Sequence, residues 1–203
     1  MDEVAIAVLA AGAGRRLGGN KQGLILAGQS LLERALSQAT GTGQPVYVVL
    51  GAKPAACRQN LDDLGVRRVN NPHWSAGMGS SIHAALREIR LVQPGIAAIL
   101  FMLLDQPAVT TEHLKRLISR YRREGKIVAS AYAGTVGVPA LFPCKYFGEL
   151  GLVAPQGGAR TLLERHAADL LTVPLADGER DIDTPDDLRY WRTRLETGGE
   201  TAE

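Results

Sequence analysis

The feature that most constrains this chain is a set of short runs that contain almost no polar residue. Val4-Ala5-Ile6-Ala7-Val8-Leu9-Ala10, Pro45-Val46-Tyr47-Val48-Val49-Leu50 and the nine residues from Ile96 to Leu104 do not alternate apolar with polar. A strand with one wet face would alternate, so these strands must be covered on both sides. Segments with helical spacing lie between and after them. Leu31 to Ala39 opens at Ser30 with Glu33 three residues on, the capping-box arrangement. Others run from about Pro54 to Leu64, Ser80 to Leu91, Thr111 to Arg123, Ala159 to His166 and Pro185 to Leu195. Shorter strands are expected at Val66 to Val69, Ile127 to Tyr132, Val136 to Phe142 and Leu170 to Pro174. Strands alternating with helices make βαβ units, so the expected fold is three-layer α/β with a mostly parallel central sheet.

The chain has 203 residues, and residues 1–196 are expected to form one domain, with 197–203 a disordered tail. A formal net charge of +2 is too small to argue for nucleic acid. Cys57 and Cys144 are far apart and lack CxxC partners, which reads as reduced thiols in a cytoplasmic protein. No secretory leader pattern is present, and Val4 to Ala11 is too short to span a bilayer.

Ligands in such sheets bind at the carboxyl ends of the strands, so the residues that follow those ends carry the chemistry. After the first strand come Gly12, Gly14, Arg15, Arg16, Gly18, Gly19 and Lys21. Glycines let backbone N–H groups close on an anion, and three cations in one loop favour phosphate, with Lys21 on a triphosphate. The loop is neither GxGxxG nor a Walker A sequence. Asp105 directly follows the most apolar strand, where a carboxylate can hold Mg²⁺ together with substrate phosphates; Thr110 and Thr111 lie closer to the next helix start. In Asp181-Ile182-Asp183-Thr184-Pro185-Asp186-Asp187, a helix start accounts for Asp186 and Asp187, and leaves Asp181 or Asp183 to face a metal. From Asn70 to Ile82, Ser80 or Ser81 is expected to cap a helix or to read a nucleobase edge, with Trp74 an anchor. No GxSxG, no HExxH and no zinc-spaced histidine occurs, so covalent and zinc chemistry have no support.

Taken together, Leu9-Ala10-Ala11-Gly12, Gly14, Arg16, Gly18, Lys21, Gly28, Leu31-Leu32, Asn71-Pro72-His73-Trp74, Gly77-Met78-Gly79-Ser80-Ser81, Leu104-Asp105-Gln106-Pro107, Gly137 to Phe142, Gly158-Ala159-Arg160 and Asp181 to Pro185 resemble the molybdenum cofactor nucleotidyltransferases. This is the MobA-like group, and the similarity is nearest to its cytidylyltransferase branch, often called MocA. The resemblance implies a Rossmann-like nucleotidyltransferase fold of the nucleotide-diphospho-sugar transferase type. The N-terminal part would bind the nucleotide and the C-terminal part the acceptor. It also implies transfer of CMP from CTP to a terminal phosphate of molybdopterin or molybdenum cofactor, with Mg²⁺ or Mn²⁺ and release of pyrophosphate. Nucleotide contacts would fall on Leu9, Ala10, Ala11, Gly12, Gly14, Arg16, Lys21, Asn71, Gly77, Ser80 and Ser81. Lys21, Arg16 and Asp105 would be catalytic, and Asp105, Asp181 and Asp183 would supply metal ligands. Ala10-Ala11 stands where guanylyl relatives usually carry Gly-Gly, which favours CTP over GTP. Guanylyl transfer, transfer to a sugar or polyol phosphate, and a non-catalytic cofactor-binding chaperone are the rival readings. Hand-off of a cofactor implies transient contact with a client molybdoenzyme. Gln22-Gly23 after Lys21 and Pro155-Gln156-Gly157 before Gly158 depart from the family pattern.

Overall fold

The computed structural model describes residues 3–12, 14, 17, 21–51 and 61–197. Arg16, Gly18, Cys57 and most of the helix expected from Pro54 lie outside the described residues, as does the tail beyond Thr197. The described strands are β1 (Val4–Leu9), β2 (Ile25–Leu26), β3 (Gln29–Ser30), β4 (Val46–Leu50), β5 (Val66–Asn70), β6 (Ala98–Leu103), β7 (Val128–Tyr132), β8 (Thr135–Pro143) and β9 (Leu171–Pro174). The helices are α1 (Leu31–Thr40), α2 (Met78–Val92), α3 (Thr111–Glu124), α4 (Phe147–Leu150), α5 (Arg160–Arg165) and α6 (Pro185–Thr197).

Seven strands form one sheet in the order β5-β4-β1-β6-β8-β7-β9, and β2 and β3 make a small separate ribbon. β1 pairs parallel with β4 on one side and with β6 on the other. β8 is the strand that runs against its neighbours, antiparallel to both β6 and β7. Every residue of β1 and β4 is buried, as runs without alternation require. One face of the sheet packs against α1, α3 and α6 through Leu32, Leu36, Leu114, Leu117 and Trp191. The other packs against α2, α4 and α5 through Ile82, Ile89, Leu150 and Leu162.

Local chemistry fixes where the helices begin. The Ser30 hydroxyl accepts from the Glu33 N–H at 3.1 Å, and the Glu33 carboxylate accepts from the Ser30 N–H at 2.9 Å, which satisfies two end donors of α1. The Thr110 hydroxyl accepts from the His113 N–H at 3.2 Å, and Gly125 closes α3 at φ +64. At α6 the Asp187 carboxylate accepts from the Thr184 N–H at 2.7 Å. With the Thr184 hydroxyl donating to it as well, the carboxyl of Asp187 is held below its ordinary range.

Three sequence expectations need correction. α2 begins at Met78, ahead of the serines, and its N-cap is Gly77 at φ +121 with no side-chain bond. Ser80 and Ser81 therefore sit in the first turn and do not cap the helix. Leu61 to Gly65 is a turn, so the helix expected from Pro54 does not reach Leu64. The β2–β3 ribbon and α4 have no counterpart in the sequence reading, because segments of two to four residues carry no readable period.

Candidate active site

β1 pairs with β4 on one flank and β6 on the other, so the chain reverses its order of strand addition at β1. The crevice at the carboxyl ends of β1 and β6 is where such a sheet presents its ligand site. A cavity of about 550 Å³ opens there. It is lined by Leu9, Ala11, Gly12 and Gly14 from the end of β1 and by Lys21; by Trp74, Gly77 and Ser81 from the entry to α2; and by Asp105 and Asp183.

Lys21 is the centre of this cavity's electrostatics. It sits on a single 3₁₀ turn with its side chain only 9% exposed. Its ammonium donates to Asp105 Oδ2 and, at 2.8 Å, to Asp183 Oδ1. Burial alone would lower its pKa, but the charges and hydrogen bonds of Asp105 and Asp183 outweigh it, and the pKa is raised. Lys21 is therefore a fixed cation, and an ammonium with three donors keeps one more for a phosphate oxygen. Gly14 makes the approach possible: its φ is +56, and a Cβ there would lie 2.7 Å from Lys21 Cβ. The Gln22 amide donates to the Ala10 carbonyl at 2.6 Å, which ties the Lys21 turn to the end of β1.

Backbone pairing explains how residues some 80 positions apart reach Lys21. The Ile182 N–H donates to the Asp105 carbonyl at 2.9 Å, and the Ile182 side chain is fully buried. That bond docks the 181–183 segment against the end of β6, so that Asp181 and Asp183 flank Asp105. Asp183 turns to Lys21 and the cavity. Asp181 lies on the other side, near Gln106 and Tyr132, and burial together with the charge of Asp105 pushes its carboxyl up to about 7. Among the described residues, Asp105 Oδ1 and Asp181 Oδ1 are buried without a hydrogen-bond partner. Two oxygens so placed, on carboxylates that repel each other, suit a hard divalent cation completed by phosphate and water. No group of three or more His, Cys, Asp or Glu side chains is poised to hold a metal among the described residues, so phosphate oxygens would have to supply ligands.

The expected site residues thus divide. Leu9, Ala11, Gly12, Gly14, Lys21, Gly77, Ser81, Asp105 and Asp183 share one cavity. Ala10, Asn71 and Ser80 are buried behind its wall. Asn71 Nδ2 donates to Ser80 Oγ at 2.9 Å and to Ser81 Oγ at 3.0 Å, while the Ser80 hydroxyl donates to the Gly77 carbonyl at 2.7 Å. Asn71 and Ser80 therefore orient Ser81 and the Gly77 turn. Lys21 was expected on phosphate and Asp105 on metal as separate roles; here the two side chains are ion-paired. Leu17 lines the cavity without having been named from sequence; Met78 and Trp74, the latter expected only as an anchor, line it as well, and Gln22, marked from sequence only as a departure from the family pattern, supports the Lys21 turn. For Trp74 a signal existed, since Gly51 leaves room for it: a Cβ on Gly51 would lie 3.0 Å from the indole.

The family model for the MobA-like NTP transferase domain matches residues 6–170. Nicotine blue oxidoreductase of Paenarthrobacter nicotinovorans is 38% identical over 130 residues, covering 62% of this chain and 60% of that protein. The molybdenum cofactor guanylyltransferase of Rhizobium leguminosarum bv. trifolii is 29% identical across 92% of this chain and 90% of its own. Among solved structures, Rv0371c of Mycobacterium tuberculosis superposes with a TM-score of 0.78 at 28% identity, covering 94% of this chain and 97% of that one. A structure of that protein in complex with manganese superposes with a TM-score of 0.74.

Proposed function

The chain belongs to the MobA-like NTP transferase family, and from that premise we propose that it transfers CMP from CTP to a terminal phosphate of molybdopterin or molybdenum cofactor, releasing pyrophosphate. Relatives named as a guanylyltransferase and as an oxidoreductase share the family, so the site must carry the choice of chemistry. The observation that carries it is the Lys21 ammonium, buried at the mouth of the glycine loop and bound to Asp105 and Asp183. A cation beside two carboxylates at a strand-end crevice suits polyphosphate chemistry.

In the proposed reaction an acceptor phosphate oxygen attacks the α-phosphorus of CTP, and the bond to the bridging oxygen of pyrophosphate breaks. The attacking phosphate is already ionised at neutral pH, so no general base is needed. The demand is positioning and charge stabilisation. Gly12 and Gly14, with Arg16, would cradle the triphosphate, while Lys21 meets the charge that develops near the scissile bond. Asp105, with Asp181 or Asp183, would hold Mg²⁺ or Mn²⁺, which when bound neutralises phosphate charge. Ala11 lines the cavity at one of the two positions where the resemblance puts Gly-Gly in guanylyl relatives, and its methyl group takes room that a glycine would leave open, which favours a pyrimidine. Ser81 is oriented by Asn71 to meet the base edge.

The test is pyrophosphate release from CTP and from GTP, in parallel, with Mg²⁺ or Mn²⁺ and molybdenum cofactor as acceptor. Release from CTP well above GTP is expected. GTP preference would make the protein a guanylyltransferase, and turnover with neither nucleotide would mean a different acceptor or a carrier.

A further inference from the structure

A second cavity, of about 740 Å³, lies against the outer face of α2, away from the Lys21 crevice. Ser80, His83, Arg87 and Arg90 line it from α2. Their spacing of three, four and three residues puts them on one stripe of the helix. Asn71, Pro72 and His73 form one end, while Gly151 and Pro155 belong to the opposite wall. The lining holds two arginines and two histidines and no carboxylate. Neither Arg87 nor Arg90 has an ion-pair partner among the described residues, and both are exposed. His83 Nε2 is buried there without a hydrogen-bond partner. The rest of the lining, by contrast, is an apolar floor of Ala76, Ala84 and Leu86.

Two exposed leucines are chain neighbours of lining residues. Leu91, 74% exposed, follows Arg90, and Leu152, 85% exposed, follows Gly151. They are the most exposed of the large apolar side chains among the described residues. Isolated exposed leucines need no explanation, but two of them next in sequence to the lining of an uncompensated cationic groove with an apolar floor form a surface suited to a protein partner.

We propose that this groove docks an extended acidic segment of a partner protein. The length is set by the stripe: ten residues of helix from Ser80 to Arg90 span about 15 Å, the reach of roughly five residues of extended chain. Alternate side chains of such a segment would point to the apolar floor and to the arginines, so the matching sequence alternates apolar and acidic residues. Nucleic acid is disfavoured, because the groove is one narrow stripe on a protein of net charge +2. The proposal does not depend on the nucleotide reading. It supplies a place for a partner on the face of α2 whose first turn, through Asn71, also borders the Lys21 crevice.

The test uses the full chain and a fluorescein-labelled hexapeptide of alternating Glu and Leu, with a Lys–Leu hexapeptide as its charge-reversed control, followed by anisotropy. The acidic peptide should bind, the basic one should not, and added salt should weaken binding. Arg87→Glu with Arg90→Glu should weaken it at least about tenfold, with the thermal midpoint unchanged. Arg122→Glu with Arg123→Glu, in the other basic cavity on α3, should leave binding intact. Equal binding of both peptides, or loss in the α3 variant and not in the α2 variant, overturns the proposal. So does displacement of the peptide by equimolar inorganic pyrophosphate, which would make the groove a small-anion site. Dimerisation of the wild type abolished by the α2 variant would give the surface to a second copy and overturn it as well. None of these readouts requires CTP turnover, so failure here and failure of the transferase reading are separable.

Discussion

At Lys21 the proposed reaction makes two demands on one side chain: it must stay charged in a buried place, and it must be aimed at a phosphate. The pair of carboxylates meets the first demand and the Gln22 amide the second. Replacing Lys21 by Ala removes the cation from beside the scissile bond, and the expected loss is about 3–4 kcal/mol of transition-state stabilisation, two to three orders of magnitude in turnover. Asp183 is 46% exposed on its side chain and can be hydrated once freed, whereas Asp105, 18% exposed, is left without its cation, so a loss of about 3–5 kcal/mol of stability is expected as well. Turnover measured beside circular dichroism checks both halves; near-normal turnover would take the catalytic role from Lys21. Gln22→Met keeps the shape and loses the donor. It leaves the Ala10 carbonyl unpaired, with about 1 kcal/mol and roughly a fivefold fall in turnover at low nucleotide as the expectation. A Gln22→Met enzyme with unaltered kinetics would show that the amide does not position the loop. Lys21 and Asp105 were legible in sequence because each follows a recognisable strand end. Gln22 was not, since a side chain that bonds a carbonyl twelve residues away leaves no spacing rule. The contest between Asp181 and Asp183 was open for a similar reason: one backbone bond, from Ile182 to Asp105, decides that both flank the β6 carboxylate.

The elements supply their own tests. α3 packs on β7 through His113, 1% exposed, whose Nε2 lies 2.8 Å from the Ser130 hydroxyl. Burial first, then the charge of Arg116, lowers its pKa to about 4, against 6.5 in the unfolded chain. The unfolded state therefore takes up a proton at a higher pH than the folded one. Stability from this residue is complete above pH 6.5, falls as the pH drops toward 4, and is gone below that. Between pH 7.5 and pH 5 the loss is about 2 kcal/mol by this linkage. Urea unfolding of His113→Gln, which can still hydrogen-bond Ser130 but does not titrate, should show that part of the pH slope removed; an unchanged slope would place the titration elsewhere. At the entry to α2, a Cβ on Gly79 would lie 2.2 Å from the Ala154 carbonyl, while the Gly79 N–H donates to Pro155 at 2.9 Å. Gly79→Ala must push the 154–157 strap away, and a loss of about 1–3 kcal/mol is expected in thermal unfolding. No loss would mean that the strap yields freely. The true start of α2 was hidden from sequence by that same strap. Ser80 and Ser81 read as caps, yet the distant Pro155 carbonyl takes the Gly79 donor and lets the helix begin earlier.

The layers of the molecule were readable as a whole because β1, β4 and β6 carry no alternation, and only covered strands read that way. The direction of β8 was less accessible: Thr135 to Pro143 reads as a strand, but nothing in it says that it runs against β6. That strand decides how the two halves of the site are related. β8 pairs with β6, which ends two residues before Asp105, and with β7, whose Tyr132 borders Asp181, so the expected nucleotide half and acceptor half share one continuous sheet. Neither half can bury its own strands if the other departs. Removing β7–β9 would expose the β6 edge, where Phe101 is fully buried against Phe142 with ring centroids 6.1 Å apart. The protein should accordingly unfold in one cooperative step, with calorimetric and van't Hoff enthalpies equal. Differential scanning calorimetry is the measurement. Two resolved transitions, or a calorimetric enthalpy well above the van't Hoff value, would mean that the halves fold separately and that Asp105 and Asp183 meet across a domain boundary.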